Sequence, residues 1–369
     1  MKQKIVLVAF FILGLSTVNG QVGGKYIYSF LNYSYSARMA GLGGGLISVR
    51  DDDPSLIIYN PSTISPRFDN SFSTSFIDYF NSASYGTALY SNTYKKVGSL
   101  AFEMRFVGYG EFTRTDEAGN ELGTFFAGDY AATVGWGRQL DSSFSIGASM
   151  KLIYSGYESY HSFGIAADVA GTYYNDKHLL SLTLLIKNIG TPIKTYTPGV
   201  YERVPFDIQF ALSQRFKHLP VRYHISLHSL YKWQMRYVGA DDPVFPKDVM
   251  NNNEPKYPSL FVEGVNNFFR HITFGLEFIP AKSFSLFVSY NHNRNQEMKI
   301  LQRRTLAGFS YGLALNIKSV QISFARATYS AGIAPNFLTL GLNFNKLAEL
   351  SQNNNKAKKL ERVQNKDKL

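Results

Sequence analysis

The sequence predicts an all-β chain closed into a 14-stranded antiparallel transmembrane barrel with an N-terminal luminal hatch. Three observations lead there: period-two alternation from Asn70 onward, segments mostly ten to thirteen residues long, and connections whose length alternates. In "SFSIGASMKLIYS" (143–155), Phe144, Ile146, Ala148, Met150, Leu152 and Tyr154 share one face, and Ser145, Gly147, Ser149 and Lys151 the other. Such alternation marks strands with one apolar and one polar or small face. A membrane-crossing strand needs about 9–11 residues, whereas strands of soluble sheets cluster near about 5–6.

The strands are expected near 71–80, 84–92, 97–107, 127–138, 143–156, 160–173, 178–188, 205–216, 221–231, 267–278, 283–292, 304–316, 319–328 and 336–345. From the second strand on, every other connection is a tight polar turn, such as "TYKK" (93–96), "NDK" (175–177) and "KS" (318–319). The intervening ones are mostly longer: 108–126, 189–204, 232–266, 293–303 and 329–335. Short turns at one end and long loops at the other are the pattern of an outer-membrane barrel. Open sheet edges cannot face hydrocarbon, where no water satisfies them, so the sheet must close.

The flanks fit an exported protein. Lys2 and Lys4 precede an apolar run from Ile5 to Leu13, with small or polar residues up to Gly20. That is a signal peptide over 1–20, too short for a membrane anchor of about 18 or more apolar residues. There is no cysteine, which excludes a disulfide-stapled domain. The formal charge of +11 is partly in the leader and the tail, and the rest is dispersed. No nucleic-acid footprint results. The expected domains are a hatch over 21–69, a barrel over 70–348 and a basic tail over 349–369, disordered or a short helix. Strand parity sets both ends of the mature chain on the periplasmic side.

The densest motif cluster is "SARMAGLGGGLISVRDDDPSLIIYNPSTIS" (36–65). Its glycines, Gly41 to Gly45, lack the third glycine and the βαβ context of a dinucleotide fingerprint. Adjacent aspartates on extended chain point opposite ways, so Asp51, Asp52 and Asp53 cannot converge on one cation. No later Glu completes a calcium loop. A solvated turn ahead of Pro54 is expected. Ser34 or Ser36 can open a short helical turn, "LISV" a brief strand, and Tyr59-Asn60-Pro61 a second turn. Together they suggest a compact plug for a lumen lined by polar strand faces.

No catalytic constellation, cofactor site or metal site is expected. His224 and His228 share a strand face, but four residues there span about 13–14 Å. Glu103 and Arg105 lie two apart on the inward face of the third strand and read as a luminal ion pair. The 232–266 connection far exceeds the usual length of about 2–6 residues. Its Trp233, Tyr237, Phe245, Tyr257 and Phe261 are candidate anchors for a partner. The 108–126 loop, with Phe112, Phe125 and Phe126, is a second candidate.

The run "YSFLNYSYSARMAGLGGGLISVRDDDPSLIIYNPSTIS" (28–65), followed by about fourteen strands, resembles the PorQ-like outer-membrane proteins of type IX secretion. More widely, it is similar to the FadL-like barrels of long-chain fatty-acid transporters. The matching positions are Ser36, Ala37 and Arg38, the Gly41–Gly45 run with Gly43, Asp51 to Asp53, and Asn60-Pro61. Ser62 stands where the fatty-acid transporters often carry Ala. The resemblance implies a hatch with an Asn-Pro motif inside a fourteen-strand barrel. It also implies a non-enzymatic subunit of the cell-surface attachment complex. That subunit would dock a PorZ-like surface protein, beside a sortase and a PorV-like barrel, among lipid and lipopolysaccharide. The alternative it implies is a channel for hydrophobic small molecules. An apolar conduit would need a greasy interior, whereas the presumed inward faces carry Ser, Gly, Arg and His.

Overall fold

The computed structural model describes residues 26–79, 83–235, 247–248, 254–255, 259–298, 305–330 and 332–352. The expected signal peptide 1–20, residues 21–25, the end of the tail from 353, and Tyr237, Phe245 and Tyr257 lie outside the described residues.

Fourteen strands form one closed antiparallel barrel. They are β1 (Ser71–Asp78), β2 (Ser84–Tyr94), β3 (Gly98–Thr115), β4 (Glu121–Gln139), β5 (Phe144–Tyr157), β6 (Tyr160–Asn175) and β7 (Leu180–Lys194). The second half is β8 (Asp207–Arg215), β9 (Val221–Leu227), β10 (Ile272–Ala281), β11 (Phe284–Asn291), β12 (Phe309–Ile317), β13 (Val320–Ala327) and β14 (Asn336–Asn343). Neighbours in sequence are neighbours in the wall, and β1 closes on β14 from Ser71↔Asn343 to Asp78↔Asn336. The turns 95–97, 140–143, 176–179, 216–220, 282–283 and 318–319 share one end of the barrel. The connections 195–206, 228–271, 292–308 and 328–335 share the other.

Alternation is realised in burial. On β5, Ser145, Ser149, Lys151 and Ser155 are buried, while Met150 is 54% and Leu152 57% exposed. The same outward band runs through Phe102, Met104 and Phe106 on β3, Leu184 on β7 and Leu338 on β14. Exposed aromatics edge it, with Tyr94 and Tyr173 near the short turns and Tyr130 and Phe163 near the long connections. An apolar band edged by aromatics around a polar-lined closed barrel is a membrane-crossing barrel. No helix among the described residues is long and apolar enough to cross a membrane.

The strands differ from expectation in several places: β7 runs on to Lys194, into the expected 189–204 loop, β9 ends at Leu227 rather than near 231, and β12 begins at Phe309 rather than near 304. Three further differences reshape the loops and the segment before β1. First, β3 and β4 continue to Thr115 and from Glu121, so only 116–120 connects them where a loop over 108–126 was expected. Second, the strand expected from residue 267 begins at Ile272, because Leu260–Arg270 is a helix. Third, residues 46–49 form no strand. The chain is helical over 344–352, so the helix begins before the expected tail.

The segment 26–69 fills the space that small inward side chains leave. Tyr26 bridges Arg203 in the long 195–206 connection, whereas Asn70 leads into β1 at the short-turn end. The described chain therefore threads the barrel from one end to the other. It does not start on the side where β1 starts, as parity alone suggested. Leu31, Tyr35, Met39, Leu42, Ile57 and Ile64 along it are at most 2% exposed.

Candidate functional site

The site is the lumen, and three arrangements define it. The first centres on helix α1 (Ala37–Gly41), whose N-terminus is capped by Ser36 accepting from the Met39 amide at 3.2 Å. The helix carries Arg38 into the barrel. There its guanidinium meets Asp51 at 2.5 Å, Asp53 at 3.4 Å and Glu277 of β10 at 2.8 Å. Arg222 of β9 bridges Asp51 at 2.9 Å and Glu277 at 2.6 Å, and His224 Nε2 lies 2.9 Å from Glu277 Oε2. Arg38, Asp53, His224 and Glu277 are all buried. Burial raises the Asp51 carboxyl, but the Arg38 and Arg222 guanidiniums outweigh it and hold the group at about 2.

The aspartate run is therefore no solvated turn. Asp51 and Asp53 point into the ionic cluster, and Asp53 also caps the turn at Pro54–Leu56 through the Ser55 amide. Only Asp52 points away, toward Arg67 at 3.6 Å and Lys346 at 3.5 Å. Opposite pointing of neighbours was foreseen; what reverses the solvation is the stranded charge on β9 and β10 that must be neutralised. Among the described residues, no group of three His, Cys, Asp or Glu is arranged to hold a metal.

The second arrangement is the Asn60-Pro61 turn. Asn60 Nδ2 donates to the Ile47 carbonyl at 2.6 Å and to Thr172 Oγ1 of β6 at 3.0 Å. Its Oδ1 accepts from the Ser62 amide at 3.0 Å and the Ser62 hydroxyl at 2.6 Å. Ser62 also meets Thr172, which meets Thr183 of β7 at 2.8 Å. Pro61 fits the first position of the short helical turn because its missing donor is not needed there. The turn lies against the wall at Gly137 and Gly147, where an added Cβ would overlap the Pro61 and Ile64 backbone.

Gly41 and Gly43 have different reasons to be glycine. A Cβ at Gly41 would overlap the Phe287 ring, and Gly43 turns the chain out of α1 with φ of 78°. Higher up, Arg105 pairs with Glu103 at 2.6 Å and lies over the Tyr35 ring at 4.6 Å. Burial pushes the nearby Tyr59 hydroxyl up to about 12, against the lowering pull of Arg105. It thus stays protonated while accepting the Tyr35 and Ser36 amides.

The third arrangement is a pair of cavities, one on each side of the segment. The short-turn side holds about 470 Å³ lined by charged groups including Arg50, Asp52, Arg67, Asp176 and Lys282. The long-connection side holds about 400 Å³. Tyr33, Tyr79, Tyr85 and Tyr329 line it beside small and polar residues such as Ser34, Gln209 and Asn291, and Lys187, Asp207 and Arg294 add charge. The Arg294 guanidinium lies 4.3 Å over the Tyr329 ring.

No protein-family model matches this sequence, and no curated protein matches it. Among solved structures, it is similar to the toluene transporter TodX of P. putida (TM-score 0.47, 12% identity, covering 85% of this chain and 98% of that one). It is also similar to a Pseudomonas aeruginosa FadL homologue (TM-score 0.44, 9% identity, covering 84% and 98%).

Ser36, Arg38, Gly41, Gly43, Asp53, Asn60 and Pro61 all fall on the luminal segment. Of the loop candidates, Trp233 is 61% and Phe261 79% exposed, on opposite flanks of the 228–271 connection. The wall-side partners Arg222, Glu277, Thr172, Gly137 and Gly147 were not found from sequence as partners of the segment. The usable signal was an inward-facing charge on a strand, which requires a counter-charge somewhere in the lumen.

Proposed function

We propose that the protein is a plugged outer-membrane channel that takes up hydrophobic or amphipathic small molecules from the long-connection side. The observation that carries this reading is the cavity of about 400 Å³ above the luminal segment, in which four tyrosines (Tyr33, Tyr79, Tyr85, Tyr329) meet Arg294 and Lys187. Aromatic walls with a few convergent polar groups are the usual make-up of a small-molecule pocket. Arg294 and Lys187 suit an anionic head group, and the tyrosines suit an apolar body. The segment 26–69 then acts as the hatch, and the short-turn end faces the periplasm. The similarity of the chain to FadL-like barrels fits the same reading.

Cells carrying the protein are expected to take up a labelled long-chain fatty acid faster than cells lacking it. Purified Arg294→Ala protein should bind that fatty acid roughly 10- to 100-fold more weakly, since a hydrogen bond to a charged group contributes about 1.5–3 kcal/mol. Equal uptake with and without the protein sinks the proposal.

A second reading, a docking subunit of a type IX attachment complex, is favoured by one feature. The β3–β4 hairpin runs beyond the length a crossing needs and carries the stacked Phe112–Phe125 pair, ring centroids 5.4 Å apart, with Phe126 73% exposed. Under that reading, removing 112–125 releases a co-purifying PorZ-like surface protein and leaves fatty-acid uptake unchanged.

A further inference from the structure

Helix α2 (Leu260–Arg270, LFVEGVNNFFR) has its polarity inside out. Phe261, Val262, Val265, Phe268 and Phe269 fall on one helical face, and every one of them is at least 40% exposed. The polar residues face the protein instead. Asn267 is buried, donating to the Trp233 carbonyl at 2.6 Å and accepting from the Met235 amide at 2.9 Å. Asn266 Oδ1 lies 3.0 Å from His292 Nε2. A surface helix of a water-soluble protein turns its apolar stripe inward; this one turns it away from the barrel.

The apolar face continues the lipid-facing surface of the wall. Phe269 packs edge-on against His292, His292 against Tyr290, and Tyr290 against Phe309, with centroids 6.1, 6.0 and 4.8 Å apart. Tyr290 and Phe309 are outward residues of β11 and β12. Just below, an open apolar groove of about 360 Å³ runs over Tyr223, Ile225, Phe274, Leu276, Val288 and Tyr290.

The wall is also short in this sector, as it is at β1, β13 and β14, which have eight residues each. β9 has seven residues and β11 eight, against nineteen in β4. At about 3.3 Å per residue and a tilt near 40°, seven or eight residues cover roughly 18–20 Å. The apolar band of such a barrel is about 25 Å tall. The helix sits where the wall runs out, and its apolar stripe supplies the missing height.

We infer that α2 is an interfacial helix whose apolar face lies in the acyl chains of the leaflet meeting the long-connection end, with the groove beneath it occupied by an acyl chain. The helix ties the 228–271 connection to the membrane beside the barrel mouth. Inward polar and outward apolar faces are both satisfied only with lipid as the occupant, because the stripe is continuous with a surface that lipid already covers.

The absence of cysteine makes the test direct. Single variants Val262→Cys, Val265→Cys and Phe269→Cys, with Glu117→Cys in the exposed 116–120 turn and Leu276→Cys for reference, carry a nitroxide label in phosphatidylcholine vesicles. At 262, 265 and 269 the label should collide with oxygen several-fold more often than with a water-soluble nickel chelate, as at 276; at 117 the order should reverse. A label at 265 that prefers the chelate, or that meets neither reagent because protein covers it, overturns the inference. For the unmodified protein, a photoactivatable acyl chain should label peptide 259–270; labelling confined to the strands would equally overturn it.

Discussion

Arg38→Leu is expected to cost about 3–5 kcal/mol of stability, the range for removing one partner of a buried ion pair. Arg38 is 4% exposed and touches three carboxylates at once. Without it, Asp51, Asp53 and Glu277 face each other with Arg222 as the remaining cation in the cluster and His224 as a hydrogen-bond partner of Glu277. Coulomb repulsion in a water-poor lumen acts at short range and is weakly screened. The comparison is Arg67→Leu, whose contact with Asp52 is 3.6 Å long and solvent-exposed; a surface pair of that kind contributes about 0–1 kcal/mol. Urea midpoints, read from the folded and unfolded bands on unheated gels, measure both variants. Equal, small shifts for the two would mean that the cluster does not hold the segment.

Gly147→Val is the second large effect, and it acts on the turn rather than the charges. β5 is hydrogen-bonded on both sides for its full length, so the wall cannot retreat. A side chain at 147 occupies the place of the Pro61 carbonyl, and Gly137 across the ladder is as crowded by Ile64. The turn must leave the wall, and Asn60 then loses its bonds to Thr172 and Thr183. Overpacking of this kind costs about 1–3 kcal/mol, and each lost hydrogen bond about 1 more. Cells bearing Gly147→Val should admit a bulky hydrophilic antibiotic several-fold faster than cells with the parent protein. Gly171→Ala, whose Cβ meets only Phe144 at 3.5 Å, is the matched control and should leave permeation unchanged. No rise for Gly147→Val would show that the turn does not seal the lumen.

The barrel was legible because alternation is local: Met150 and Lys151 are neighbours, and each states its own face. The Asn60-Pro61 turn was legible for the same reason. Its partner Thr172 was not, since 112 residues separate the two and no short-range pattern links them. Asp51 and Asp53 were misread as solvated because the charged groups they meet beyond the segment, Arg222 and Glu277, stand on β9 and β10. Residues 267–271 were read as strand because Phe268 and Phe269 favour strands. The helical spacing of 261, 262, 265, 268 and 269, with Ser259 capping Val262 at 3.4 Å, is the signal that reading passed over. Gly108 and Gly110 hid the continuation of β3, because beyond them both faces are exposed and alternation no longer distinguishes them.

The central claim is that the segment 26–69 fills the barrel it threads. Conductance of the purified, unaltered protein in a planar lipid bilayer tests it most directly. A filled lumen predicts insertion without any sustained open level at moderate voltage. A steady ohmic conductance of the size expected for an empty fourteen-strand pore would contradict it.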